Sequence, residues 1–306
     1  MSPAFPPRGA VPLVLAGALL STALACAASV PVRQAEPAPT ATQTPATTTS
    51  EPEIDVDQVL RRAEAIRNPE TGHTMEVEIE SVLPDARAGS RKALYSIASN
   101  GSSLLALRQS EDEMRGAVLL FSDERALVLR PGAGTRQAYE LDGAQSRLGD
   151  WVHLRIAGLD LRRGWAKRLV GVERYGDEPC FKLELTRSST HLPWARLLYW
   201  IGKADLRPKR LEGYDPGGVL VSMVRYEALW EGKGGAAPRR VVAEGGTPFD
   251  EMHSATFSDV RAAASDPSAF TPEGMLALKD SARLRGVMRR NAPLVHIEEL
   301  LPAARP

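Results

Sequence analysis

Asp55-Val56-Asp57-Gln58-Val59-Leu60-Arg61-Arg62-Ala63-Glu64-Ala65-Ile66-Arg67-Asn68-Pro69, followed closely by Thr74-Met75-Glu76-Val77-Glu78-Ile79-Glu80, is where the fold class is decided. In the first stretch Val56, Val59, Leu60, Ala63 and Ile66 recur at helical spacing behind Asp55, a good N-cap. Asn68-Pro69 ends that helix, because a residue before proline is pushed out of the helical region. In the second stretch the period changes to two: Met75, Val77 and Ile79 alternate with glutamates, which makes a strand with one apolar and one charged face.

The period-two pattern then repeats along the chain. Strands are expected at 91–99, 102–109, 117–121 and 125–130, with Asn100-Gly101 as a hairpin turn. Residues 142–169 break the pattern. There Leu148, Trp151, Val152 and Ile156 fall near helical spacing, interrupted by Gly158 and Gly164, and this reads as a broken helical excursion. Strands resume at 168–175, 180–187, 194–201, 207–214, 218–231, 238–244 and 253–260, with Asp215-Pro216-Gly217-Gly218 as a turn. Short strands in sequence imply an antiparallel meander. The expected result is one α+β domain over 54–276, in which a curved sheet of roughly ten to eleven strands has helices plugging its concave side. From 277 to 306 the charges are mixed and no clear period remains, so this C-terminal tail is expected to be weakly structured, either a short terminal helix from Ser281 to Arg290 or disordered.

The N-terminus is read as separate from the fold. Arg8, the apolar run from Ala10 to Leu20, and Ala23-Leu24-Ala25 form a secretory signal over 1–25. Cys26 then admits two readings: the lipidated first residue of a lipoprotein, favoured here, or a passenger after ordinary cleavage. The order Ala-Leu-Ala before it reverses the usual lipobox. Residues 26–53 are rich in Pro, Thr and Ala and read as a disordered linker, a spacer between anchor and domain. Ala27 in place of an aspartate is a weak pointer to the outer membrane. Cys180 is expected to be a small buried residue in a strand.

With 38 basic and 38 acidic side chains the chain is formally neutral, which argues against a nucleic-acid partner. His73, His153, His191, His253 and His296 show no metal-ligand spacing, and there is no nucleophile elbow, P-loop or dinucleotide fingerprint. The reading is therefore non-catalytic, with no metal and no cofactor. Arg155, Arg162, Arg163, Lys167 and Arg168 cluster by Trp151 and Trp165. They form a solvated face by default, and a docking surface for anionic headgroups as the sharper alternative.

Several segments follow one another in a distinctive order. They are Ala65-Ile66-Arg67-Asn68-Pro69 with the strand from Thr74, and Gly171 with Gly176-Asp177-Glu178-Pro179-Cys180-Phe181-Lys182-Leu183-Glu184-Leu185. They continue with Leu197-Leu198-Tyr199-Trp200-Ile201, Leu206-Arg207-Pro208-Lys209-Arg210-Leu211, Thr256-Phe257-Ser258-Asp259-Val260 and Phe270-Thr271-Pro272. In this order the chain resembles the outer-membrane lipoprotein-sorting proteins related to the LolA and LolB carriers.

The resemblance implies an unclosed half β-barrel of about eleven strands with an inner helical lid. It also implies periplasmic work on lipid or lipoprotein acyl chains, toward the outer membrane. On this view Met75, Val77, Ile79, Leu105, Leu107, Phe181, Leu183 and Leu185 line an apolar cup. Leu148, Trp151, Val152 and Trp165 belong to the lid. Expected partners are acyl chains, a membrane through acylated Cys26, and an envelope transporter. The anchor and spacer make the chain more like a LolB-type acceptor than a soluble shuttle. Two rivals stand beside this reading: a sensor or adaptor that recruits a protein with the same cup, and a lipid or glycan hydrolase.

Overall fold

The computed structural model describes residues 54–301, apart from 83–89, 131–136, 144, 148–150, 188–190, 233–234, 246–250, 264–265, 279–280 and 288–293. The expected signal segment, Cys26 and the linker lie outside the described residues, as does Leu148 of the expected lid.

Helix α1 (Val56–Arg67) opens the domain, with the Asp55 carboxylate accepting from the Gln58 amide at 3.0 Å as N-cap. Thirteen strands follow in one sheet. They are β1 (His73–Val82), β2 (Ser90–Ser99), β3 (Ser103–Arg108), β4 (Val118–Ser122), β5 (Ala126–Arg130), β6 (Gln137–Glu140), β7 (Ala166–Tyr175), β8 (Glu178–Thr186), β9 (Arg196–Gly202), β10 (Pro208–Tyr214), β11 (Leu220–Gly232), β12 (Gly235–Gly245) and β13 (Glu251–Ala262). A short strand the sequence reading passed over, Gln137–Glu140, takes one edge. At four residues it is too short to show an alternation.

The spatial order is β6-β5-β4-β3-β2-β1-β13-β12-β11-β10-β9-β8-β7. Every described pairing is antiparallel, and β1 pairs with β13, joining the two halves. The sheet does not close on itself: β6 and β7 are its two edges. Those edges are consecutive in sequence, so the segment joining them must pass from one side of the opening to the other. Helix α2 (Trp151–Ala157) lies in that connection. The topology itself thus places a helix across the open side.

The sheet has two apolar faces. On the inner face, side chains from β1, β2, β3, β4, β5, β8 and β9 pack in one cluster with α1 and α2. The cluster includes Val77, Ile79, Tyr95, Leu104, Phe121, Leu183, Tyr199, Leu60, Val152 and Leu154. On the outer face, Leu105, Leu107, Val118, Leu120 and Leu129 pack beneath the C-terminal segment. That segment contributes Phe270, Met275 of α3 (Pro272–Ala277), Leu284 and Val287 of α4 (Ala282–Val287), and Ile297. The expectation of a weakly structured tail after 277 is corrected by these buried residues. The tail covers β3–β5, whose outer faces are otherwise apolar.

Gly101 at the β2–β3 turn has φ +84°, and a Cβ there would meet the Pro69 carbonyl at 2.9 Å. This turn needs glycine both for its backbone and because Pro69 and Glu70, just after α1, press on it.

Candidate functional site

The inner face is the candidate site, and α1 and α2 occupy it as a plug. Of the expected cup residues, Met75, Val77, Ile79, Phe181, Leu183 and Leu185 belong to the inner cluster. Leu105 and Leu107 do not: they belong to the outer cluster, and Leu104 and Ala106 take the inward positions on β3. The cause is physical. Both faces of β3 are covered, so Leu104-Leu105-Ala106-Leu107 shows no polar alternation from which a register could be read.

Of the expected lid residues, Val152 is fully buried, Trp165 nearly so and Trp151 half-buried, all against the inner cluster. Ile156, Leu159 and Leu161 accompany them. The lid is shorter than the expected 142–169, because β7 begins at Ala166. At its far end Gly158 packs so closely that a Cβ would stand 3.0 Å from the Leu104 Cβ.

Two buried arginines hold the lid down, and neither was singled out in sequence for that role. Arg67, at the end of α1, donates from Nη1 to the Ile156 carbonyl and from Nη2 to the Leu159 carbonyl, each at 2.6 Å. Its other donors reach the Glu64 carboxylate, with Nε to Oε1 at 2.8 Å. Glu64 also accepts from the Tyr199 hydroxyl at 3.2 Å and from the Leu161 amide at 3.4 Å. Burial alone would lower the Arg67 pKa, but the carboxylate of Glu64 outweighs it and holds the guanidinium charged. Burial and the same carboxylate push the Tyr199 phenol well up, so it stays a donor.

The second arginine, Arg155 of α2, is buried and donates to the carbonyls of Ser122, Arg125 and His191. Burial lowers its pKa to about 10, with Asp123 opposing. Both arginines therefore grip backbone carbonyls.

The basic cluster expected by the lid does not form one surface. Arg155 is internal, and Arg162 donates to the carbonyls of Asn68 and Gly101 and to Asp160. Lys167 reaches Asp57, and Arg168 reaches Glu184. Among these residues, Arg163 and Arg168 keep exposed side chains.

Beneath the lid lies a small cavity of about 30 Å³, lined by Arg67, Met75, His153, Tyr226, Val241 and Phe257 among others. His153 and His253 stand edge to face with centroids 6.2 Å apart. Burial first, and His253 second, depress the His153 pKa to about 3. Cys180 is a buried free thiol in β8. Among the described residues there is no cluster of three His, Cys, Asp or Glu side chains able to hold a metal. No helix among them is long and apolar enough to cross a membrane.

No protein-family model matches the chain, and no curated protein sequence does. Solved structures do match. A LolA superfamily protein from Nitrosomonas europaea superposes with a TM-score of 0.63 at 23% identity, over 72% of this chain and 100% of the other. A putative outer membrane lipoprotein-sorting protein domain from Vibrio parahaemolyticus gives 0.59 at 13% identity, over 72% and 97%. A DUF1329 family protein from Desulfovibrio piger gives 0.58 at 14%, over 71% and 96%. These identities speak for the fold. In architecture, an unclosed antiparallel sheet with an inner helical plug, the chain is similar to the LolA superfamily protein and the lipoprotein-sorting domain.

Proposed function

We propose that this chain is an exported, non-catalytic envelope protein that binds acyl chains of lipids or lipoproteins between its sheet and its lid. The observation that carries this reading is the nature of the plug. An apolar wall on the inner face is covered by a seven-residue helix, held near its C-terminal end by guanidinium-to-carbonyl bonds. Lifting α2 uncovers Leu104, Phe121 and the neighbouring inner wall. That surface has no good aqueous state, and an acyl chain replaces the helix with the same chemistry. Each methylene buried stabilises the complex by roughly 0.8 kcal/mol. Similarity of fold to a lipoprotein-sorting domain supports this assignment. Acylated Cys26, with its Pro- and Thr-rich spacer, would hold the domain at the outer membrane.

An adaptor role is the second reading, and one feature favours it. Edge strand β7 is ten residues long and exposes Val170 and Val172 at 41% and 48%. A partner strand could pair there.

The test is native mass spectrometry and lipid extraction on the full chain purified from a bacterial envelope. A stoichiometric lipid or acylated peptide, lost in Leu183→Glu, is the expected result. A protein that carries none and rejects added lipids overturns the acyl-chain reading and leaves the adaptor.

A further inference from the structure

The two latch arginines meet different fates when α2 lifts. Arg155 belongs to α2 and leaves with it. Arg67 belongs to α1, which stays: Glu64 accepts from Tyr199 of β9, and Asp57 pairs with Lys167 of β7. Of the two lid carbonyls that Arg67 holds, that of Ile156 lies within α2. That of Leu159 lies past the helix, beside Asp160 and Arg162. This stretch is tied down separately. The Asp160 amide donates to the Asp123 carboxylate at 3.2 Å, and Arg162 donates to the carbonyls of Asn68 and Gly101, each at 3.1 Å. Lifting α2 therefore breaks the Nη1 bond to Ile156 and frees one charged donor.

That donor is costly to leave unmet. The Arg67 side chain is 2% exposed, and Glu64 keeps it charged. An unmet buried donor costs its desolvation, and a hydrogen bond from a charged group contributes more than a neutral one. Arg67 borders one space with Met75, Phe257, Ile156 and Ala157. Ile156 and Ala157 go with α2, so that space widens, and Nη1 is left beside the apolar wall along which a hydrocarbon chain would lie. The acceptor that fits is neutral. Glu64 already matches the guanidinium, so a ligand carboxylate would find no unpaired cation and would be desolvated at high cost. A carbonyl is what the lid itself presents there.

From this geometry we infer that Arg67 is a binding residue as well as a latch: its Nη1 passes from the Ile156 carbonyl to the carbonyl that heads the ligand's acyl chain, in an ester or an amide. The inference rests on the acyl-chain reading above and adds the group by which the head of the chain is recognised. Lid and ligand compete for one donor, so exchanging one for the other leaves no buried donor unmet.

The experiment measures binding to the full chain of two neutral probes that differ only in that carbonyl, monohexadecanoylglycerol and monohexadecylglycerol. N-hexadecanoylethanolamine serves as the amide. The wild type should bind the ester about tenfold to a hundredfold more tightly than the ether. In Arg67→Leu that preference should vanish, while ether binding rises because the latch is gone. Should Arg67→Leu not fold, Glu64→Gln combined with Arg67→Met removes the pair without leaving a buried charge and carries the same expectation. Amide binding as tight as the ester's extends the site to N-acylated proteins, and amide binding no tighter than the ether's confines it to ester-linked chains. A latch alone would raise ester and ether binding by the same factor in the variants and leave their ratio unchanged. That result, or equal binding of ester and ether by the wild type, overturns the carbonyl contact and leaves the acyl-chain reading intact. Failure of all three probes to bind the wild type overturns both.

Discussion

The guanidinium of Arg67 donates to the carbonyl oxygen of Ile156 at 2.6 Å, joining the last turn of α1 to the lid across 89 residues of sequence. The same side chain is bound to Glu64 on its own helix, and the pair is almost fully buried. A buried ion pair is weak evidence of net stability, but breaking one by removing a partner is expensive. The pair is therefore best understood as a specific attachment that keeps the plug in one place.

Replacement of Arg67 by leucine should lower unfolding stability by about 3–5 kcal/mol, because Glu64 is left buried without its partner. If Arg67 acts as a latch, the loss is also local. The Gly158 amide, bonded to the Leu154 carbonyl at the end of α2, should then exchange hydrogen much faster than amides of β1 and β2. Hydrogen exchange read by peptide or by NMR checks this. A uniform loss of protection over lid and sheet would make Arg67 a general support of the fold instead.

The two faces of β3 should respond differently to substitution. Leu107→Ala removes a side chain fully buried on the outer face and should cost about 2–5 kcal/mol by urea denaturation. Lipid binding per folded molecule should not change, since that face is covered by the C-terminal segment. Leu183→Glu, on the inner face, should abolish binding. Loss of binding in Leu107→Ala with the fold retained would place the ligand on the other side of the sheet.

Acid should loosen the domain, and His153 should account for a measurable part of that. In the folded protein burial keeps this ring neutral down to about pH 3, against 6.5 for a free histidine. Between those values the unfolded chain holds more protons, so stability falls as pH falls, by up to about 1.4 kcal/mol per pH unit for the one group. The groups around it do not offset a positive ring: His253 on β13, His73 on β1, Tyr226 on β11 and the guanidinium of Arg67 on α1. Glu76 and Asp123, both pushed up by burial, act in the opposite sense. The check is therefore a difference: melting curves between pH 7 and pH 4 for wild type and His153→Leu. The wild type should lose more stability on acidification, and parallel curves would show that the ring is hydrated or already charged.

Much of this fold could be read from the sequence because most of it is one-sided. Where one face is covered and the other wet, as in β1 or β8, apolar and charged residues alternate and both strand and register follow. The helical stripe of α1 was legible for the same reason. Legibility failed where burial is two-sided. The outward turn of Leu105 and Leu107 follows from the C-terminal cover, and Leu284 and Val287 gave no sign of their packing because α4 is short. The site's polar groups were hidden for another reason. Glu64 and Arg67 stand four and seven residues after Leu60, and Arg155 three after Val152, so all three fall within the apolar arc of their helices. A charged residue on an apolar stripe is the signal that could have raised the question, and which partners it meets there depends on the tertiary meeting of α1, α2 and the sheet.

The central claim is that an acyl chain enters only when α2 leaves the inner wall. It is tested most directly by locking the lid. A Cβ at position 158 would lie 3.0 Å from the Leu104 Cβ, close to the separation of a disulfide after a small adjustment. In a chain carrying Leu104→Cys and Gly158→Cys, with Cys26→Ser, binding of a long-chain phospholipid is measured with the bridge oxidised and again after reduction. The account predicts no binding in the oxidised form and recovery on reduction. Equal binding in both forms would contradict it and place any lipid site away from the lid.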